Sequence, residues 1–376
     1  MQPKAARNIS IEALRLVAVA GIALFHTFQW TFQATCVGLP EYTPLAAFPY
    51  SGALGFINLL GCWANEVFFM ISGYFLIASA ARAWDGGTTW KSQMQRTAQR
   101  LGKVVMPTAF YCLVALAWST AVSPIPDVSL ATHYWYTLGL EFIWVYAATV
   151  FMAPWFGLAK SRLPQKSYTA TVIAVGILVF VVNGYLAAMS ATSAGEFSWL
   201  QKLMSAVTYV IAFLIGGLLR GVTDAMDSDK AAALGMRSLV TVLVLTIILE
   251  GELSFTGNLT AMSTLSYKST SLISLALAAA SLLFAATRRS ASGNPRVTGV
   301  IVTLSAATLG FYVMQSLTSS LWRPIFNTLL ANILVSQDSP AFICIGAGAV
   351  ISIVFALALL IIDAARSLIV RKLKRQ

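Results

Sequence analysis

Arg15 and His26 stand eleven residues apart inside the first long apolar stretch of the chain. At about 100° per residue, eleven steps end roughly 20° from three whole turns, so a helix puts both side chains on one face. At about 1.5 Å per residue they lie roughly 16 Å apart along the axis. One stripe thus carries a fixed cation at one mouth and a titratable imidazole deep in the helix. A second stretch runs Asn65-Glu66-Val67-Phe68-Phe69-Met70-Ile71-Ser72-Gly73-Tyr74. It sets Glu66 and Gly73 on a common face, and Ser72 and Gly73 are small enough for another helix to come close. A carboxylate beside an imidazole fixes its tautomer and raises its basicity, as a general base requires. Glu66 is therefore expected at the depth of His26, orienting it. Plainer readings exist for each residue. An arginine near a helix end snorkels to headgroups, and a buried histidine or protonated glutamate often only bonds a neighbouring helix. The shared stripe of Arg15 and His26 argues against two unrelated roles.

Two further groups carry chemistry. Arg96 and Arg100 lie one helical turn apart in the most basic segment, from Arg82 to Lys103, opposite an apolar face of Trp90, Met94, Ala98 and Leu101. Such a segment either rests on anionic headgroups or clamps a phosphate, whose oxygens a guanidinium meets with two parallel bonds. His133-Tyr134-Trp135-Tyr136, with Glu141 five residues after Tyr136, forms either an interfacial aromatic belt or a cleft that stacks a sugar ring. The four cysteines, Cys36, Cys62, Cys112 and Cys344, lack paired metal-ligand spacing, so no metal site is expected.

The elements that must position these groups follow from composition. Hydrophobic residues make up 58% of the 376 and charged residues 10%, against roughly 25% charged in soluble domains. Such a chain folds with lipid around most of it, as an all-α polytopic membrane protein, because only helices and closed barrels satisfy their backbone in hydrocarbon. Ten spans are expected, at about 12–34, 53–81, 104–122, 134–158, 169–190, 203–219, 238–250, 270–287, 297–316 and 341–362. Both termini inside the cell put 22 of the 25 basic residues on the inner side, leaving Lys202, Lys268 and Arg323 outside. The net charge of +11 is therefore mainly topogenic, and no nucleic acid is expected as partner. The first span lacks a cleavage pattern and is read as part of the bundle. Residues 1–376 read as one transmembrane domain, with a short basic tail from about 364.

These residues resemble a known family. Glu12-Ala13-Leu14-Arg15 followed by His26 is similar to the Asp-x-Leu-Arg … His opening of the membrane acyltransferases of type 3. Glu66 to Tyr74 resembles their Glu/Asp-Leu-Phe-Phe-x-x-Ser-Gly-Phe segment. Arg96, Arg100 and Pro107 resemble the basic run into their third span, and His133 to Tyr136 with Tyr146 and Pro154 their fourth. The specific motifs cover about the first 155 residues. Two positions differ: Glu12 stands for the commoner Asp, and Thr308-Leu309-Gly310-Phe311-Tyr312-Val313-Met314-Gln315 ends in Gln where many members have His. The resemblance implies O-acylation, commonly O-acetylation, of an envelope carbohydrate, exopolysaccharide or lipid-linked glycan at the plasma (inner) membrane. Its donor would be cytoplasmic acyl-CoA, acetyl-CoA in the commonest case, with no cofactor held permanently.

On that reading His26 is the general base, or is transiently acylated, and Glu66 assists it. Arg15, Arg96 and Arg100 hold the phosphates of the donor, and Trp135, Tyr136 and Glu141 line the acceptor cleft. A transporter or flippase of an envelope precursor would also place Arg, His and Glu around a midplane cavity. Inverted repeats would favour it. A non-catalytic partner subunit is the third reading.

Overall fold

The computed structural model describes residues 8–126, 128–132, 140–192, 198–266, 270–288, 294–336 and 340–373, and no strand occurs among them. The chain opens with α1 (Ile9–Cys36), the one-turn α2 (Thr43–Ala46), α3 (Tyr50–Asp85), α4 (Trp90–Ala121) and α5 (Glu141–Arg162). The middle comprises α6 (Gln165–Thr192), α7 (Ser198–Ala225), α8 (Ser228–Phe255), the short α9 (Leu259–Leu265) and α10 (Leu272–Thr287). It ends with α11 (Pro295–Ser305), α12 (Thr308–Leu317), α13 (Ser319–Ser336) and α14 (Pro340–Leu373). Eight of these are long and apolar enough to cross a membrane, and α11 with α12 makes a ninth, bent by 43°. The protein is therefore a multi-pass, all-α membrane protein.

Each expected span falls on a helix over its described residues, with 134–139 outside them, and the eighth rests on the 16-residue α10, which is shorter than the helices able to cross; three further differences appear. The stretch 238–250 is only the middle of the 28-residue α8. The ninth span breaks between Ser305 and Thr308. Between the ninth and tenth spans lies α13, whose mixture of Trp322, Arg323, Asn327 and Asn332 hides it from a search for continuous apolar runs. The segment of Arg96 and Arg100 is also not separate from the third span, since α4 runs unbroken through Pro107.

Local signals set the helix ends. The Asn8 side chain accepts hydrogen bonds from the Ser10 and Ile11 amides and starts α1. Thr89 caps α4 through the Ser92 amide. Between α3 and α4, Gly87 takes a positive φ of 74°, which a side chain resists.

Burial then sorts the helices. In the most apolar window of α3, 72% of residues are buried, against 11% in α8. Accordingly α3 is the central post and packs on α1, α5, α7, α8 and α10. The outer helices turn large apolar side chains outward, among them Leu178, Val181, Ile247, Ile248, Val354 and Ile361, which is stable only against lipid. Where α3 crosses α7 the backbones nearly touch. A Cβ on Gly73 would run into the Phe213 carbonyl, and one on Gly216 into the Met70 carbonyl. The small-residue approach expected at Gly73 thus belongs to α7.

Candidate active site

Two cavities with charged residues in largely apolar walls open into the bundle around α1. The first, about 400 Å³, is lined by Arg15 of α1, Ser72 of α3, Arg100 and Lys103 of α4, and Tyr146 of α5. Glu12, one turn before Arg15, accepts from Arg15 Nη1 at 2.9 Å, and its Oε2 also takes the Ser305 hydroxyl proton at 2.6 Å. This carboxylate, buried on α1, pins one edge of the guanidinium. The other N–H groups of Arg15 make no hydrogen bond among the described residues. Arg100 is tethered to Ser79 Oγ at 3.3 Å. Arg96 differs from the expectation: it is exposed and does not line the cavity, whereas Lys103, three residues beyond Arg100, does. Thus Arg15, Arg100 and Lys103 come together and Arg96 stays outside.

The second cavity, about 440 Å³, lies further along α1 and is lined by His26, with Asn65 of α3, Glu141 of α5, Lys202 and Tyr209 of α7, and Arg323 of α13 among its walls. The partner of His26 is not Glu66. Arg323 Nη2 donates to His26 Nδ1 at 2.9 Å, across 297 residues of sequence. A guanidinium only donates, so Nδ1 supplies its lone pair and the neutral ring carries its hydrogen on Nε2. Phe25 packs on the ring with centroids 4.9 Å apart.

Glu66 is fully buried and lines neither cavity. It faces Ser274 of α10. The physical reason is the phase of α3: the adjacent Asn65, about 100° around the helix, takes the cavity side and donates to Tyr209 Oη at 3.1 Å. Glu141 lies in the first turn of α5 and lines the second cavity, while Trp135 and Tyr136 lie outside the described residues. Gln315 is buried, its side-chain polar atoms are unbonded, and it lines neither cavity. Its backbone carbonyl accepts from Trp322 Nε1 at 3.0 Å, tying α12 to the helix that carries Arg323.

The cavities share two wall residues, Phe142 of α5 and Tyr312 of α12. Their ring centroids lie 4.6 Å apart at 33°. Phe69, which stacks on Tyr209 at 4.8 Å, meets Phe142 edge to face at 5.1 Å. An aromatic septum therefore lies between a chamber lined by Arg15, Arg100 and Lys103 and one lined by His26, Lys202 and Arg323.

Sequence reading missed Arg323, Lys103 and the septum. Arg323 did carry a signal, as one of only three basic residues assigned to the outer side. Phe142 and Tyr209 carried none, because aromatic residues in an apolar helix look like core.

Fold and site together define a multi-pass membrane protein with a reaction-sized polar chamber on each side of a thin wall. The acyltransferase domain of the acyltransferase 3 family matches residues 8–359, and the chain belongs to that family: it is an acyl-transferring membrane enzyme. No curated protein matches it, and no solved structure does.

Proposed function

We propose that the enzyme moves an acyl group, in the first instance acetyl, from cytoplasmic acyl-CoA to a hydroxyl of a cell-envelope carbohydrate at the inner membrane, both termini facing the cytoplasm. The observation that carries this is the pair of chambers meeting at Phe142 and Tyr312. Arg15, Arg100 and Lys103 suit the phosphates of the donor, and the second chamber suits the acceptor, with Glu141 on its wall. The thin arm of the donor would pass the septum to bring its thioester to His26. The acceptor oxygen attacks the thioester carbonyl as its proton passes to the His26 imidazole, whose Nδ1 must first part from Arg323. The carbon–sulfur bond then breaks, and His26 returns the proton to the leaving thiolate. Placing acceptor and thioester together supplies much of the rate; the proton transfer adds about 10²–10⁴-fold. Glu66 acts on His26 only through the packing of α3.

The test is mass analysis of envelope glycans from cells lacking the protein and from cells complemented with wild type or His26→Ala. Acyl esters should vanish on deletion, return with wild type and stay absent with the variant. Glycans identical in all strains would refute the reading.

A further inference from the structure

Charge in the second chamber is unbalanced. Among the described residues, Arg323 and the exposed Lys202 line it along with His26, against the single carboxylate of Glu141. Among the described residues neither cation forms an ion pair with a carboxylate within 4.0 Å. Arg323 meets neutral groups, the His26 ring at 2.9 Å and the face of Trp322 at 5.5 Å, with Tyr312 also near it, and among the described residues its buried Nε makes no hydrogen bond. A cation held within a membrane bundle without a counterion is costly, and such residues mark ligand sites.

We propose that Arg323, with Lys202, receives an anionic group on the acceptor, a sugar carboxylate or phosphate, and that this capture releases Nδ1 of His26. The inference rests on the reading of His26 as base. The N–H groups that would fork onto an oxyanion are those of the guanidinium that now occupies Nδ1. A carboxylate or phosphate accepts them far better than a neutral imidazole does. Once Arg323 turns to the anion, the Nδ1 lone pair is vacant beside the acceptor hydroxyl. The hydroxyl proton moves to it, the oxygen bonds to the thioester carbon, and the thiolate departs with that proton. Water alone offers Arg323 no anion, so the base stays masked and the donor is not hydrolysed while the chamber lacks its substrate. Substrate binding thereby completes the site.

The experiment uses the full chain in nanodiscs of zwitterionic lipid, titrated by ligand-observed NMR with methyl glucuronide, glucose 1-phosphate and the neutral methyl glucoside. Wild type should bind at least one anionic probe about ten- to hundredfold more tightly than the glucoside, and the tighter of the two distinguishes carboxylate from phosphate. Arg323→Gln should erase the preference, and Arg323→Lys, a point charge without the fork, should keep part of it. Equal affinities in wild type, no binding of any probe, or a preference that survives Arg323→Gln would overturn the proposal. Thiol release from acetyl-CoA with envelope membranes is read separately. Its absence sinks the acyl-transfer reading itself, whereas transfer without anion preference removes only the role given to Arg323.

Discussion

Replacing Arg15 with alanine separates donor recognition from chemistry. The Arg15 side chain is 28% exposed, holds Glu12 by one N–H and leaves the rest to the first cavity. Charge-assisted bonds contribute about 1.5–3 kcal/mol each. Partial exposure and the neighbouring Arg100 and Lys103 put the loss at the low end, about 1.5–2 kcal/mol in total, or roughly 10- to 30-fold in coenzyme A affinity. Alanine also strands Glu12, whose Oε2 then keeps only the Ser305 hydroxyl, so stability falls for a reason unrelated to the donor. The double variant Glu12→Gln/Arg15→Ala removes that complication. Calorimetric titration of coenzyme A into the full chain in nanodiscs, at two salt concentrations, measures the effect. Both variants should bind more weakly, with a smaller difference at higher salt. Arg96→Ala, run in parallel, should change little because Arg96 is exposed and outside the cavity. Unchanged affinity in Arg15→Ala, or an equal loss in Arg96→Ala, would refute the assignment.

Other expectations follow from the same geometry. His26→Ala should lower transfer about 10²–10⁴-fold with coenzyme A affinity unaltered, since His26 lines only the second chamber; product formation followed by mass spectrometry decides it. Glu66→Gln keeps the side-chain shape and still offers the Ser274 hydroxyl of α10 a carbonyl oxygen, so its activity should stay far nearer wild type than that of His26→Ala; an equally deep loss would restore Glu66 to the chemistry. Gly73→Ala pushes a methyl into the Phe213 carbonyl of α7 and should cost about 1–3 kcal/mol of stability, visible as a lower thermal midpoint; an unchanged midpoint would mean that the α3–α7 crossing is not tight in solution.

Length and apolarity announce a span without any partner, which is why nine of the ten expected spans fall on helices, or a bent pair of them, long and apolar enough to cross, the exception being the short α10. The common stripe of Arg15 and His26 was legible for a similar reason: both lie on one helix, and turn angle alone places them in adjoining chambers. What failed was anything that depends on how helices rotate against each other. Glu66 and Asn65 are neighbours in sequence, and only the seating of α3 on α7 and α10 decides that Asn65 meets the cavity. Arg96 and Arg100 share a face in isolation, yet the chamber ends between them. The contact of His26 with Arg323 joins the first helix to the thirteenth; no local pattern encodes it, and α13 itself was hidden by its polar residues.

The wall of Phe142 and Tyr312 bears on the cell as much as on catalysis. A passage wide enough for a whole nucleotide or sugar would be a leak through which protons and ions dissipate the gradient across the bilayer. With two cavities divided by a pair of rings, neither a whole nucleotide nor a whole sugar would have to travel through on the proposed reading. On the proposed reading only the thin arm of the donor, with its acyl group, would pass between the rings, and that arm would itself fill the gap it opens.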